Sequence, residues 1–553
     1  MKKITFKSHN QREILLFPPS LEEKIPQNSP SRLVNQVVED LDISSLLKTY
    51  KGGGTSSYHP RMMLKVLFLS YLNNIYSCRK IAKQVQENIH YIWLAGGQEP
   101  DFRTINDFRS KRLKSHINIL FTQVVVMLCE MGYISLEKQY IDGTKIESVA
   151  NRYTFVWRKT VEKNKAKLEI KIRDILSQIE EGITLDNTAP ESTPTPIDTE
   201  ALKQRIASIN KENRTKQELK KIKTLEEKHL PKLQEYENHL QRMGDDRNSY
   251  SKTDKEATFM RMKEDHMKNG QLKPAYNLQI GTENQFITNY AFYQDRDDTM
   301  TFTSFVELHH KQYGSYPREV CADAGYGSEE NYQYMENNHI EAYVKYNYFH
   351  KEQKRAFKNN PFLQENLHYN SQQDYFVCPM GQHMRLIGKR KNKTKTGYQT
   401  TIHLYEAQNC QGCPLRGQCH KAQGSRILSV NHSLRAYKEK AKERLTSEKG
   451  LEHRRKRPIE PEAVFGQIKF NRHYNRFRHR GIEKINRDFG ILAIAFNMAK
   501  LFNKRAKSGC FDPLTRKEAL FIFSCLLLSL LYRIYGQEKI NKNKPSLIYN
   551  VAA

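Results

Sequence analysis

Three short acidic segments lie far apart in this chain, and a fold that serves all of them must return twice to the same place. They are Tyr140-Ile141-Asp142-Gly143-Thr144-Lys145, Val320-Cys321-Ala322-Asp323-Ala324-Gly325-Tyr326-Gly327 and Ile459-Glu460-Pro461-Glu462-Ala463-Val464-Phe465-Gly466-Gln467-Ile468-Lys469. The first two read as strands running into a turn and the third as a helix. Each therefore sets a carboxylate on a rigid element. Alone, Asp-Gly and Asp-Ala-Gly are ordinary turn chemistry after strands; it is the ordered triplet that carries weight. Mg²⁺ takes oxygen ligands in octahedral geometry and commonly uses one or two carboxylates plus water and substrate phosphate. Two such ions roughly 3.5–4 Å apart can serve an in-line displacement at phosphorus.

The carboxylates run against the trend of the chain, which has 90 Lys+Arg, 61 Asp+Glu and a net charge of +29 over 553 residues. The excess is spread widely, and nucleic acid is the partner such a surface suggests. Length suggests three or four domains at roughly 150 residues each. The start, Met1-Lys2-Lys3-Ile4-Thr5-Phe6-Lys7, lacks the apolar segment of a secretory leader. The longest apolar run, Ala519 to Tyr532, falls short of the ~20 residues of a spanning helix and reads as a buried terminal helix, so no membrane partner is expected. Nine cysteines, four of them clustered, favour a reducing compartment and a metal site over a disulfide framework.

Residues 1–130 read as helical. Met62, Met63, Val66, Leu67, Leu69 and Leu72 form a stripe at helical spacing, and Ser77 stands as an N-cap before Cys78–Val85. Two further short helices, Asn88–Leu94 and one after Asp101, make the region compatible with a helix-turn-helix that binds DNA. A strand is predicted from Lys138 to Asp142, ending at Gly143. Leu168, Ile172, Ile175 and Ile179 mark a helix seam, and 158–245 reads as a helical-hairpin insertion broken near Pro231, with Thr184–Thr199 as a loop. Strands are predicted at 275–281, 286–292, 319–321 and 341–345, and helices at 301–313 and 328–338. That order describes a mixed sheet flanked by helices, an α/β fold. The domain scheme is a helical N-terminal domain (1–130), the first part of a core (131–350), a Cys-rich insertion (351–430), the second part of the core with the Glu helix (431–505) and a helical tail (506–553).

Cys378, Cys410, Cys413 and Cys419 are surrounded by Gly and Pro, whose tight turns would let four thiolates converge on one structural Zn²⁺; His383 and His420 are alternates. The reading against it is four reduced thiols without metal. The segment Lys469 to Arg480 mixes cations with aromatics. Its Phe470, Tyr474 and Phe477 sit at helical spacing and read as core. Lys469, Arg472, Arg476 and Arg480 read as contacts to DNA phosphates.

The stretch Tyr140 to Asn151, continued by Tyr153 to Lys159, resembles the first-strand motif of bacterial insertion-sequence transposases. Ala322 to Ser328 resembles the motif of their second Asp, and Glu462 to Lys469 their catalytic-Glu helix. The resemblance covers roughly 40–505. It implies a DDE transposase with an RNase H-like catalytic core, in which Asp142, Asp323 and Glu462 hold two Mg²⁺ (or Mn²⁺) ions. It also implies terminal inverted repeats and target DNA as partners, a homodimer in the DNA complex, and a cytoplasmic, nucleoid-associated place of action in bacteria. Glu460 competes with Glu462, but the family pattern places a Lys seven residues after the Glu, and only Glu462 has one, Lys469. The family also carries an Arg four residues before the Glu. Here that position is Pro458, with Arg457, Arg455 and Arg454 nearby to substitute. Lys145 is a further candidate for phosphate contact beside Asp142. Two rival functions stay open: a metal-dependent nuclease without strand transfer, and a DNA-binding relative without catalysis.

Overall fold

The computed structural model describes residues 19–509 except 52, 54–55, 181–196, 210–214, 246 and 263–270. The expected linker at 184–199 lies almost wholly outside the described residues, and so do the tail beyond 509 and its apolar run. Two compact units emerge: residues up to Ile134 together with those from Arg487 onward, and residues Ser135–Asn486.

The first unit is all helix. Pro30–Asp40 starts with Pro in its first turn behind the N-cap Ser29, and buries Leu33, Val34, Val37 and Val38 at i, i+1, i+4, i+5 spacing. Pro60–Leu72 is buried nearly all round, from Met62 to Tyr71. So is the stretch Phe489–Phe496 of the helix Ile482–Ser508, and helices apolar on every side belong at the centre of a bundle. A buried polar link crosses that centre: Tyr71 donates to the Asp488 carboxylate, and Arg109 Nη1 donates to Tyr71 at 3.2 Å. Short helices Cys78–Glu87, Ile89–Leu94 and Phe102–Asp107 follow one another. Asn88 and Asp101 cap the second and third through their side chains, whereas Ser77 holds the cap position of the first without a side-chain hydrogen bond. Arg79, Lys80, Lys83 and Arg103 stay exposed on these helices while Ile81 and Val85 are buried.

The second unit is built on a six-stranded sheet. Its strands are β1 (Lys138–Glu147), β4 (Thr258–Arg261), β5 (Leu272–Glu283), β6 (Phe286–Tyr293), β7 (Glu319–Ala322) and β8 (Glu341–Val344). β5 lies antiparallel to β1, β7 parallel to β1 and β8 parallel to β7, while β6 and β4 share the far edge of β5. This 6-5-1-7-8 order, with helices Phe302–Tyr313 and Glu329–Asn337 in the crossovers, is an RNase H-like sheet. The β5–β6 hairpin turns through Asn284 and Gln285, both at positive φ (52° and 64°), the backbone a tight primed turn requires. A buried cluster of Ile141, Phe302, Phe305, Val306, Val320, Tyr332, Met335 and Val344 packs those helices onto the sheet.

Two insertions leave this frame. β2 (Phe155–Trp157) and β3 (Ser249–Ser251) pair at the base of the first. It holds Arg158–Glu180, Thr199–Ser208, Lys216–Thr224 and Leu230–Met243, so it is more than a hairpin. Leu168, Ile172, Leu176 and Ile179 form its seam, with Ile175 only partly buried. Pro231 does not break the helix: the run continues from Lys216 through a π turn, Leu225–His229, directly into Leu230–Met243, and the proline sits just past the widened turn. The second insertion carries a five-stranded antiparallel sheet where sequence patterning suggested no strands: β9 (Tyr369–Asn370), β10 (Tyr375–Val377), β11 (His383–Lys393), β12 (Gln399–Ala407) and β13 (Ile427–Val430). Phe376, Met384, Tyr405, Leu428 and Val430 make its small core.

Candidate active site

Asp142 sits inside β1, not at its end. The strand runs on to Glu147, and Asp142 is opposite Ile280 of β5. Gly143 is a place of close approach, not a turn: a Cβ there would lie 2.2 Å from Gln279 Nε2 and 2.8 Å from Asp298 Oδ1. Gln279 and Asn277 both donate to Asp298 at 2.9 and 2.8 Å, and Tyr326 donates to Gln279. A packed polar lattice thus holds the backbone beside Asp142.

Asp323 follows the last residue of β7. The parallel register pairs Tyr140 with Cys321, and two residues further along each strand Asp142 comes level with Asp323. Asp323 Oδ1 accepts from its neighbour Ala324 N at 2.8 Å as the cap of a short 3₁₀ turn. That fixes the carboxylate, whose Oδ2 lies within ion-pair range of the Arg457 guanidinium. Gly327 lets this loop lie against the end of β8, because a Cβ there would meet the Lys345 carbonyl at 2.4 Å.

Glu462 comes from the helical run that follows Glu448–Lys456. Pro461 lies within that run and has no N–H to give the Arg457 carbonyl. The helix widens into a π turn over Pro458–Glu462, and π turns are bonded i to i+5. Residues five apart then share a face, so Arg457 meets Glu462. Its Nη1 is 2.9 Å from Glu462 Oε1, and its Nη2 is 3.3 Å from Asp142 Oδ1 and 3.7 Å from Asp323 Oδ2. One guanidinium gathers all three carboxylates. Arg457 and Asp142 are buried, while the side chains of Asp323 and Glu462 are each 53% exposed, so the cluster opens to solvent on one side. Burial works against the charge of Arg457, but Asp142 and Asp323 outweigh it and its pKa stays above the ordinary value.

The helix carrying Arg457 is itself seated on the sheet. His453 Nδ1 bonds the Tyr140 hydroxyl at 2.9 Å, and its Nε2 lies 3.0 Å from Glu319. Desolvation lowers the His453 pKa, with Glu319 opposing it. No sequence signal had singled out His453, Glu319, Gln279 or Asp298; the π turn had one sign, the two prolines.

The other expected residues scatter. Glu460 is buried and accepts from Gln285 N at the β5–β6 turn, at 2.7 Å. Lys145 is an odd number of residues from Asp142 in a regularly paired strand and so lies on the opposite face of the sheet. Lys469 is buried, in a second π segment, Gln467–Asn471; the two-turn spacing expected between it and Glu462 is therefore not that of a plain α-helix. Arg476 bonds the Ser148 carbonyl at 3.3 Å and pairs with Glu147. Arg472 is half-buried and Arg480 exposed. Tyr474 and Phe477 are core residues as expected, but Phe470 is 64% exposed. The expected continuous helix is interrupted between Asn471 and Ile482.

The four clustered cysteines line one small cavity of about 20 Å³ with His420 and Arg426. Arg426 Nη1 donates to Cys419 Sγ at 3.0 Å and its backbone N to Cys410 Sγ at 3.4 Å. His383 stacks on Tyr375 instead. Among the described residues, no group of three or more His, Cys, Asp or Glu has metal-holding geometry as it stands.

Two family models match the chain. A transposase DDE domain covers residues 377–502, which include Glu462 and Arg457, and a transposase domain (DUF772) covers residues 19–111 of the helical unit. The two matches indicate an insertion-sequence DDE transposase. No curated protein matches it. DNA is thus the transposase's partner and polynucleotidyl transfer or endonucleolytic cleavage its reaction class. Family members typically use divalent metal. No described helix is long and apolar enough to cross a membrane.

Proposed function

We propose that this transposase cuts the ends of its own element and joins them to target DNA by Mg²⁺-dependent transesterification, with Asp142, Asp323 and Glu462 as metal ligands. The observation that carries the reading is the convergence of those three carboxylates, from three distant segments, on the guanidinium of Arg457. Two Asp oxygens within ion-pair range of one nitrogen suit a shared pair of small cations, and all the donors are the hard oxygens Mg²⁺ or Mn²⁺ prefers. Bound there, the metals would supply an activated oxygen nucleophile and charge stabilisation at phosphorus. The chain's part is to hold two carboxylates on the sheet and the third on a helix, and to keep Arg457 beside them, where its fork can also meet a phosphate. Exposed Arg480 and half-buried Arg472 stand as further DNA contacts. The element's terminal inverted repeats, a homodimer in the DNA complex and action at the bacterial nucleoid complete the proposal.

A structural Zn²⁺ on Cys378, Cys410, Cys413 and Cys419 belongs to it too. Among the described residues, both ring nitrogens of His420 are buried there without a hydrogen-bond partner, and a buried polar atom of that kind asks for an ion or water. The cavity is large enough for one.

The deciding experiment offers the protein an element end already cut to expose its 3′-hydroxyl, plus target DNA and Mg²⁺. Joined products support transposition. Cutting without any joining supports the nuclease.

A further inference from the structure

β11 and β12 form a long hairpin whose outer half is a free two-stranded ribbon. β10 pairs with β11 only over His383–Arg385 and β13 with β12 only over His403–Glu406, so among the described residues Lys389–Lys393 and Gln399–Ile402 have no other strand beside them. From His383 to Tyr405 there are six cations, Arg385, Lys389, Arg390, Lys391, Lys393 and Lys395, and no Asp or Glu. All six are exposed. None forms an ion pair or side-chain hydrogen bond among the described residues.

Strand alternation sorts them. Lys389, Lys391 and Lys393 fall on one face, opposite His403, Thr401 and Gln399. Neighbours on that face are about 6.6 Å apart, so three like charges repel along a rigid line. The ribbon is held in place at its tip, where Thr396 donates to Glu330 at 2.6 Å and Tyr398 to Gln333 at 2.7 Å. Those partners lie on the helix that follows Asp323. An isolated two-stranded ribbon is marginal in water, and these anchors let it hold its shape.

We propose that this lysine face docks the phosphate backbone of duplex DNA, holding it next to the catalytic core without reading its sequence. The choice of DNA over another polyanion rests on the transposase assignment. Geometry supports duplex: the major groove accepts a two-stranded ribbon, and Lys binds phosphate as a point charge without sequence preference. The competing role for such lysines is to stop strand edges from pairing with other molecules. That role needs no alignment on one face and no DNA.

The test replaces Lys389, Lys391 and Lys393 with Gln in the full chain and measures affinity for a duplex of arbitrary sequence across a salt series. Each lost phosphate contact should reduce the slope of log affinity against log salt by about 0.9, so the triple variant should lose about 2.7 and Lys391→Gln alone about 0.9. A triple Lys→Arg variant should keep the wild-type slope. An unchanged slope in both Gln variants overturns the proposal. So does aggregation of the triple variant together with wild-type DNA binding by Lys391→Gln, which would mark edge protection. A wild-type protein that binds duplex but cuts nothing would count against the catalytic reading and leave the ribbon's role standing.

Discussion

Arg457 Nη1 lies 2.9 Å from Glu462 Oε1, across a π turn that makes residues five apart neighbours. The same side chain holds Asp142 and Asp323. Three carboxylates this close repel one another, and a buried cation offsets that repulsion.

Removing the cation should therefore expose the repulsion. Arg457→Ala should cost about 3 kcal/mol in denaturant unfolding, near the lower end for breaking a buried pair because half the cluster is solvated. Added Mg²⁺ should raise the melting temperature of the variant more than that of wild type, since metal and guanidinium compensate the same charges. Equal Mg²⁺ responses would mean that Arg457 and the metal do not share a site.

Glu460 and Glu462 separate by the same reasoning. Glu460→Gln weakens a charge-assisted bond to the Gln285 amide and should cost about 1–2 kcal/mol of stability while cleavage of element-end DNA continues. Loss of cleavage at full stability would reverse the assignment of the third acid.

Much of this was legible in the chain. The strands of β1, β5–β8 and their crossover helices follow from period-two and helical patterning bounded by turn residues, because each buries one face or both in a single core. The five-stranded sheet of the Cys-rich insertion was hidden. Lys389, Lys391 and Lys393 put polar residues on the face that a half-buried strand would make apolar, so alternation carries no signal there. The register of the site was only half visible. Pro458 at the position of the family's Arg looked like a loss, and only the backbone shows that Pro461 widens the helix and brings Arg457 one residue closer in angle. Lys145 misled through nearness in sequence, since three residues along a strand reverse the face.

His309, buried on the helix Phe302–Tyr313, meets the Tyr313 ring edge to face and bonds the Ser315 carbonyl at 3.2 Å. Burial pushes its pKa down to about 4. An unfolded chain takes up this proton below about pH 6.5, and the folded protein resists until about pH 4. Stability from this residue is intact above pH 6.5 and falls as pH drops through that window, by an upper limit of about 3 kcal/mol. Urea unfolding at pH 7 and pH 4.5 should show a drop that His309→Phe reduces. An equal drop in both would assign the acid sensitivity elsewhere.

Purified protein should carry about one zinc per chain, and Cys413→Ser should lower it and destabilise the insertion while leaving the acidic cluster intact. His420→Ala should weaken metal retention if its ring approaches the ion. Metal-free protein with normal thermal stability would remove zinc from the account.

The central claim is that Asp142, Asp323 and Glu462 act as one metal-holding unit. The most direct measurement compares Mg²⁺-dependent cleavage and DNA binding for Asp142→Asn, Asp323→Asn and Glu462→Gln. Each change keeps shape but removes an anionic oxygen, and the lost stabilisation of several kcal/mol should cut the rate at least about 1000-fold with binding within a few-fold of wild type. Any one of the three cleaving at near wild-type rate, or losing binding in step with cleavage, would contradict the account.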